Sequence, residues 1–229
     1  SFNRALAVAP NDDQTNYNMA VIKIALNKSN EAQTYAKRAV DAAPNNAVYN
    51  YTLGLAYEAA GNTDTAISAY ARAVSLDPKY TKPRANLGSI YLANGMTSQA
   101  LNLLREAYSL DPASFEVNNN LGAVYAKMED WVQSVECYER ALIADKNNIT
   151  VRLNLARAYV GAGNLNRARD EYRELVRISP NNWDALFELG KTSISLGDSA
   201  SAKGYLEDLL KRNPDYSGGA EARRLMGGL

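Results

Sequence analysis

The sequence predicts an all-α protein in which pairs of antiparallel helices stack along the chain. The first observation is a series of prolines with a constant step of 34 residues, interrupted only at Lys146: Pro10, Pro44, Pro78, Pro112, Pro180 and Pro214. The second is that glycine, tyrosine and alanine form series with the same step. The third is that two stripes of apolar residues with helical spacing lie between consecutive prolines. A two-helix repeat of this length is typical of a solenoid, in which each unit packs on the next.

The first helix of each unit is defined by its apolar face. In residues 115–128, Leu121, Val124, Tyr125 and Met128 recur at i, i+3, i+4 and i+7, which predicts one buried helical face. The second helix shows a similar face in its series of small and aromatic residues: Ala66, Tyr70, Ala73 and Val74. Small residues at fixed points, such as Gly88 and Ala100, are expected to let the paired helices approach closely.

The helix ends are predicted from glycine and capping residues. A glycine at the turn between the two helices suits the left-handed position that follows a helix: Gly61, Gly95, Gly163 and Gly197. The next residue is expected to cap the second helix: Asn62, Asp130, Asn164 and Asp198. Four other residues are expected to cap the first helix of a unit: Asn46, Ser114, Asn148 and Asn182.

Six complete units are expected, and together they would form one solenoid domain over residues 1–229: 13–46, 47–80, 81–114, 115–148, 149–182 and 183–216. Residues 1–12 would be the second helix of a truncated repeat, and residues 217–229 a short C-terminal capping helix and tail. The half-unit suggests that the chain is a piece of a longer one, or that a partner supplies the missing helix. Self-association through this end is a further possibility.

The composition favours a folded protein without catalytic chemistry. The chain is 46% hydrophobic and 22% charged, and its formal net charge is zero, so we expect neither nucleic acid nor an anionic membrane as a partner. No apolar run of about 18 residues is present, so direct membrane insertion is not expected. Because histidine is absent and Cys137 is the only cysteine, we expect no cofactor, no metal and no enzymatic activity. The short loops slightly favour a bacterial cytoplasmic or periplasmic protein.

A second stripe on the first helix carries the candidate binding site. In one unit it reads Glu116, Asn120, Ala123 and Lys127, at i, i+4, i+7 and i+11. Asparagine recurs at one register of this stripe, with Thr52 and Glu188 as exceptions: Asn18, Asn86, Asn120 and Asn154. A carboxamide can pair with both the N–H and the C=O of an extended peptide. The predicted peptide-binding residues are therefore Asn18, Tyr51, Asn86, Asn120, Lys127, Asn154, Arg157 and Lys191.

Two alternatives to this interpretation stay open, and the stripe also varies along the chain. The asparagines could instead bind a neighbouring helix and hold the stack together, and the small residues on the stripe could simply let adjacent helices pack. Asn118 and Asn119 lie off the series, and no special role is expected for them. The stripe is apolar towards the N-terminus, with Val21 and Val48, and of mixed charge towards the C-terminus. A ligand of matching polarity is expected to lie along it.

The motifs LGLAY (53–57), LGSIY (87–91) and LGAVY (121–125), followed by Ala, an aromatic residue, Ala and Pro, resemble the tetratricopeptide repeat family. This resemblance implies a right-handed superhelical solenoid whose concave surface is lined by the stripe of the first helices. It also implies a scaffold that binds an extended peptide segment of a partner in that groove. No three consecutive units carry the basic clamp that some members use for a C-terminal carboxylate. The alternatives are a substrate-docking or regulatory arm of a larger enzyme, and an assembly module that uses the solenoid ends.

Overall fold

The computed structural model describes residues 12–229, and the helix predicted within residues 1–12 falls before the described part. Thirteen helices and no strand occur in that part, so the predicted all-α class is confirmed. The chain divides into two compact units, residues 1–112 and 113–229. In each unit, helices that follow one another in sequence pack together as antiparallel neighbours.

The N-terminal unit contains six described helices: α1 (Asp13–Ala25), α2 (Ser29–Ala42), α3 (Ala47–Ala59), α4 (Thr63–Leu76), α5 (Thr81–Ala93) and α6 (Thr97–Leu110). The C-terminal unit contains seven: α7 (Phe115–Lys127), α8 (Trp131–Ala144), α9 (Ile149–Gly161), α10 (Leu165–Ile178), α11 (Trp183–Ser195), α12 (Ser199–Arg212) and α13 (Gly219–Met226). Each of the six predicted repeats therefore holds one helix pair. The odd-numbered helices α1 to α11 are the first helices of these pairs.

The turns inside the pairs have the predicted left-handed backbone. Gly61, Gly95, Gly163 and Gly197 all have φ between 73° and 78°. In the two remaining pairs the same conformation is held by Asn27, with φ 56°, and Glu129, with φ 58°. Glycine is favoured here because a side chain at positive φ crowds the following carbonyl oxygen.

Side-chain oxygens cap most of the helices as predicted. Seven of the eight predicted residues accept a hydrogen bond from a backbone N–H in the first turn: Asn46, Ser114, Asp130, Asn148, Asn164, Asn182 and Asp198. The prediction is wrong for Asn62, which precedes α4 but makes no capping hydrogen bond with its side chain.

A separate prediction, that Met128 belongs to the buried face of the first helix, is also wrong. Met128 follows the end of α7, and 50% of its surface is exposed.

A close contact between the paired helices recurs along the chain. The glycine of the first helix lies against a large side chain sixteen residues later: Gly54 against Tyr70, Gly88 against Leu104, Gly122 against Tyr138 and Gly190 against Leu206. A Cβ atom at any of these glycines would come closer than 3.0 Å to that side chain. Ala100 is fully buried, as expected for a small residue at the contact. The helices can therefore pack at short range only because these positions are small.

A series of buried polar side chains, not predicted from the sequence, holds the loops that precede the first helices. Its members share one register, and all of them except the half-buried Arg152 are buried: Asn16, Asn50, Arg84, Asn118 and Arg152. Asn118 is fully buried, and its Nδ2 donates to the backbone oxygen of Ser114 at 2.8 Å. Asn50 donates to Pro44 O at 3.1 Å, and Arg84 donates to Pro78 O at 2.7 Å. The expectation that Asn118 has no special role is therefore wrong, because its fully buried amide adds a second hydrogen bond to the Ser114 oxygen, which also accepts from the Asn118 backbone N–H.

Replacing Asn118 with alanine is expected to lower the free energy of unfolding by about 1–3 kcal/mol, because a fully buried side chain and its hydrogen bond to the Ser114 oxygen are lost. Urea unfolding followed by circular dichroism measures the change. Asn166→Ala, at an exposed position of α10 in the same unit, is the control and should stay within about 0.5 kcal/mol of the wild type. Equal effects of the two substitutions would contradict a role for the buried hydrogen bond.

Candidate functional site

The first-helix stripe consists of four positions on each odd-numbered helix from α1 to α11, represented on α7 by Glu116, Asn120, Ala123 and Lys127. Its side chains are exposed or half-buried on all six helices, with one exception. Thr52 on α3 is buried, and its hydroxyl donates to Val48 O at 2.9 Å. The helical spacing therefore identified a true surface, although surface exposure alone does not assign a function.

In the N-terminal unit, Asn86 belongs to a hydrogen-bond network with the preceding helix pair. Its Nδ2 donates to Tyr70 Oη at 3.1 Å and to Glu58 Oε2 at 3.2 Å, and Tyr70 Oη donates to the Glu58 carboxylate. Burial of Tyr70 and the adjacent carboxylate raise the pKa of this hydroxyl well above its usual value, so it remains a donor. At Asn86 the amide therefore connects neighbouring pairs, as the stacking interpretation expects.

The asparagines at the same register of the other first helices differ from Asn86. Asn18 accepts a hydrogen bond of 3.3 Å from Gln14 on its own helix. Asn120 accepts one of 3.3 Å from Asn119 Nδ2. Asn154 is half-buried on α9, and its side chain forms no hydrogen bond with any other residue in the range 12–229. Within the described chain, Asn18 engages only its amide oxygen, whereas Asn154 engages neither its donors nor its acceptor and can offer all of them to a ligand.

The predicted aromatic contact residue, Tyr51, lies in a group of tyrosines. Its ring centroid is 5.6 Å from that of Tyr70 and 5.2 Å from that of Tyr80. Nearby stripe positions are apolar, and 42% of Val21 and 40% of Val48 are exposed. The N-terminal unit therefore presents the apolar surface that the sequence predicts.

The three basic residues predicted to bind a ligand in the C-terminal unit differ in their contacts. Lys191 pairs with Glu188 at 3.2 Å and lies over the ring of Phe187, 5.3 Å from its centroid. Lys127 and Arg157 are exposed on α7 and α9, which contact each other, and in the described part of the chain neither forms an ion pair. The predicted mixed charge is thus partly satisfied within the chain, which leaves these two cations to face solvent.

Metal or thiol chemistry gains no support from the described residues. Cys137 is buried, and burial raises the pKa of its thiol to about 11, so the nucleophilic thiolate is scarce near neutral pH. Residues 12–229 contain no group of three metal-binding side chains. The same residues include no helix with the length and apolar character needed to cross a bilayer.

Solved structures with a similar fold cover most of the chain. The structure of the Cut9–Hcn1 hetero-tetramer of the APC/C matches with a TM-score of 0.79 and 20% identity, over 96% of this chain and 44% of that one. PilF of Pseudomonas aeruginosa matches with a TM-score of 0.80 and 20% identity, over 93% and 96% of the two chains. YrrB, described as a TPR protein with an unusual peptide-binding site, matches with a TM-score of 0.72 and 18% identity, over 82% of this chain and 97% of that one. At these identities the similarity shows the fold alone.

Sequence comparison gives the family. No curated protein matches the chain in sequence. Family profiles described as tetratricopeptide repeat match residues 17–81, 114–181 and 160–228, and one described as TPR repeat matches residues 88–129. These ranges include residues of both compact units, and they contain the motifs at 53–57 and 121–125 and all but the first residue of the motif at 87–91. The chain therefore belongs to the tetratricopeptide repeat family.

Proposed function

We propose that this protein is a non-catalytic scaffold that binds an extended segment of a partner protein on its first-helix stripe. The observation that carries the proposal is that the first helices of each compact unit present surface positions at the same registers, with a carboxamide at one register of four of them: Asn18, Asn86, Asn120 and Asn154. The description of YrrB as a TPR protein with a peptide-binding site supports this use of the fold. The role assigned to the sequence-predicted residues, including Asn18, Tyr51, Lys127 and Arg157, is part of this proposal.

The asparagines contribute unequally in this proposal. Asn154 offers both donors and its acceptor, so it can pair with the N–H and the C=O of one peptide residue. The amide hydrogens of Asn86 are directed to Glu58 and Tyr70, so its contribution to a ligand is its carbonyl oxygen. Since a net hydrogen bond contributes about 0.5–1.5 kcal/mol and micromolar binding needs about 8 kcal/mol, apolar and charged contacts must add to the amides.

The test is selection of binding peptides from a phage-displayed library of random dodecapeptides. Asn154→Ala is expected to weaken a selected peptide by about fivefold to tenfold, as the loss of one or two hydrogen bonds requires. Helicity and melting temperature should stay unchanged. The control is Asn166→Ala on the exposed surface of α10, which should bind like the wild type. Unchanged binding by Asn154→Ala and by Asn120→Ala would refute a role for the stripe.

Self-association is the second candidate function, and Ile22 on α1 favours it. Ile22 is 39% exposed, whereas the residue at the same register is 8% exposed or less in every later pair: Ala56, Ile90, Val124, Ala158 and Thr192. Since the apolar residues at four of these equivalent places are buried, the exposed Ile22 favours a surface of α1 that a second molecule covers. Light scattering of the wild type and of Ile22→Lys checks this, and a monomeric wild type at high concentration would count against it.

A further inference from the structure

Glu58 is a charged residue at a position where the other repeats of the chain have an apolar one. The same register of the other five first helices is apolar: Ile24, Leu92, Ala126, Val160 and Ile194. Glu58 alone places a carboxylate there, and its side chain is exposed beside the first-helix stripe. It lies two turns after Tyr51 on the same face of α3, since residues at i and i+7 of a helix align.

The carboxylate is held in place by its neighbours. Glu58 Oε2 accepts hydrogen bonds from the hydroxyl of Tyr70 and from Asn86 Nδ2, the latter at 3.2 Å. Tyr70 is fully buried, so the position of its hydroxyl is fixed by the core of the pair. Its ring in turn contacts Tyr51, with 5.6 Å between the centroids. A side chain restrained in this way loses little conformational freedom when a ligand binds to it.

The charge of Glu58 is not neutralised within the described chain. No lysine or arginine between residues 12 and 229 forms an ion pair with it, although Glu188, another carboxylate on a first helix, pairs with Lys191. Both of its known partners are neutral donors. A carboxylate of this kind, next to tyrosine rings, matches the requirements of a cationic side chain, which gains from the charge and from the aromatic surface.

We propose that Glu58 binds a lysine or arginine side chain of the partner segment, with the aliphatic stem of that side chain against Tyr51. This inference rests on the proposed function, because it assigns the chemistry of one ligand residue on the same stripe. It predicts a partner with a basic residue where it crosses α3 and α5. A purely structural carboxylate would hold Tyr70 and Asn86 in place but would show no preference among ligands.

The experiment uses the same dodecapeptide library with the wild type and with Glu58→Gln, which keeps a hydrogen-bond acceptor but removes the charge. Peptides selected by the wild type should be enriched in lysine or arginine at one position, and Glu58→Gln should lose that enrichment. For one selected peptide, norleucine in place of its lysine is expected to weaken binding about fivefold to twentyfold. The norleucine peptide, which has no charge to pair with Glu58, should bind Glu58→Gln and the wild type with equal affinity.

The control variant and the two peptide-binding variants together decide the outcome. Asp41→Asn, at an exposed carboxylate of the same unit, should keep the basic preference. If Asn154→Ala weakens binding but Glu58→Gln leaves the basic preference unchanged, the inference fails while the proposed function stands. If no peptide depends on the stripe, the proposed function fails first. Should Glu58→Gln prove unstable, the norleucine substitution measured on the wild type still tests the ion pair, and an unchanged affinity overturns it.

Discussion

Replacing Tyr172 with alanine is expected to lower the free energy of unfolding by about 3–5 kcal/mol, the range typical of deleting a buried aromatic ring. Tyr172 on α10 is fully buried, in a cluster that includes Leu155, Leu175 and Leu189. These neighbours come from three helices, so the cavity cannot close by the movement of one side chain. Because each pair of a solenoid is stabilised mainly by its neighbours, the loss should weaken α9, α10 and α11 together.

Urea unfolding followed by circular dichroism measures this loss, and Tyr172→Phe is the matched control. The Tyr172 hydroxyl forms no hydrogen bond with the described residues, so removing it should cost less than about 1 kcal/mol. A stability of Tyr172→Ala within about 1 kcal/mol of the wild type would show that this ring is not part of a tightly packed core.

Introducing valine at Gly122 is expected to destabilise the protein by about 2–3 kcal/mol, because overpacking a tight contact forces side chains and backbone apart. A Cβ atom at this position would lie 2.7 Å from the ring of Tyr138, which is only 2% exposed. The ring cannot turn away without disturbing the cluster around Leu142 and Val151. The change in unfolding free energy is again measured with urea.

Two controls separate crowding from helix propensity. Gly204→Val on α12 introduces the same residue where a Cβ would meet no atom within 4 Å, so it should be neutral or slightly stabilising. Gly122→Ala makes the same Cβ contact without the two γ-methyl groups and gains helix propensity, so it should destabilise the protein less than Gly122→Val does. The chain itself holds Ala156 at this register. Equal destabilisation by valine at Gly122 and Gly204 would contradict the packing argument.

The helical fold and its turns could be predicted almost completely from the sequence. The constant step of the prolines and glycines reports geometry that every unit must repeat, so one period identifies all pairs. The errors lie at helix ends. Asn62 is a suitable capping residue, but its side chain does not take the required direction. Met128 continues the apolar spacing although the helix ends at Lys127. Its prediction as a core residue is an error that arises because periodicity does not say at which residue the last turn ends.

The candidate site could be predicted only as a surface. Helical spacing placed Asn86 and Asn154 on one stripe, but their hydrogen bonds depend on the preceding pair. Asn86 meets Glu58 and Tyr70, which are 28 and 16 residues away, whereas Asn154 meets no such partners. Aligning the units by their step would have shown the signal for Glu58, a single charge at an apolar register. It would also have shown the polar register that includes Asn118.

The network at Asn86 has a consequence for the orientation of a bound chain. Both amide hydrogens of Asn86 are directed at Glu58 and Tyr70, so towards a ligand this residue can only accept. A peptide bound in the opposite direction presents its N–H and C=O groups in reverse order. Its backbone C=O would then face the side-chain oxygen of Asn86, which cannot donate a hydrogen bond. At Asn86 the stripe therefore favours one direction of a bound backbone, and the protein should distinguish a peptide from the same peptide with its backbone direction reversed.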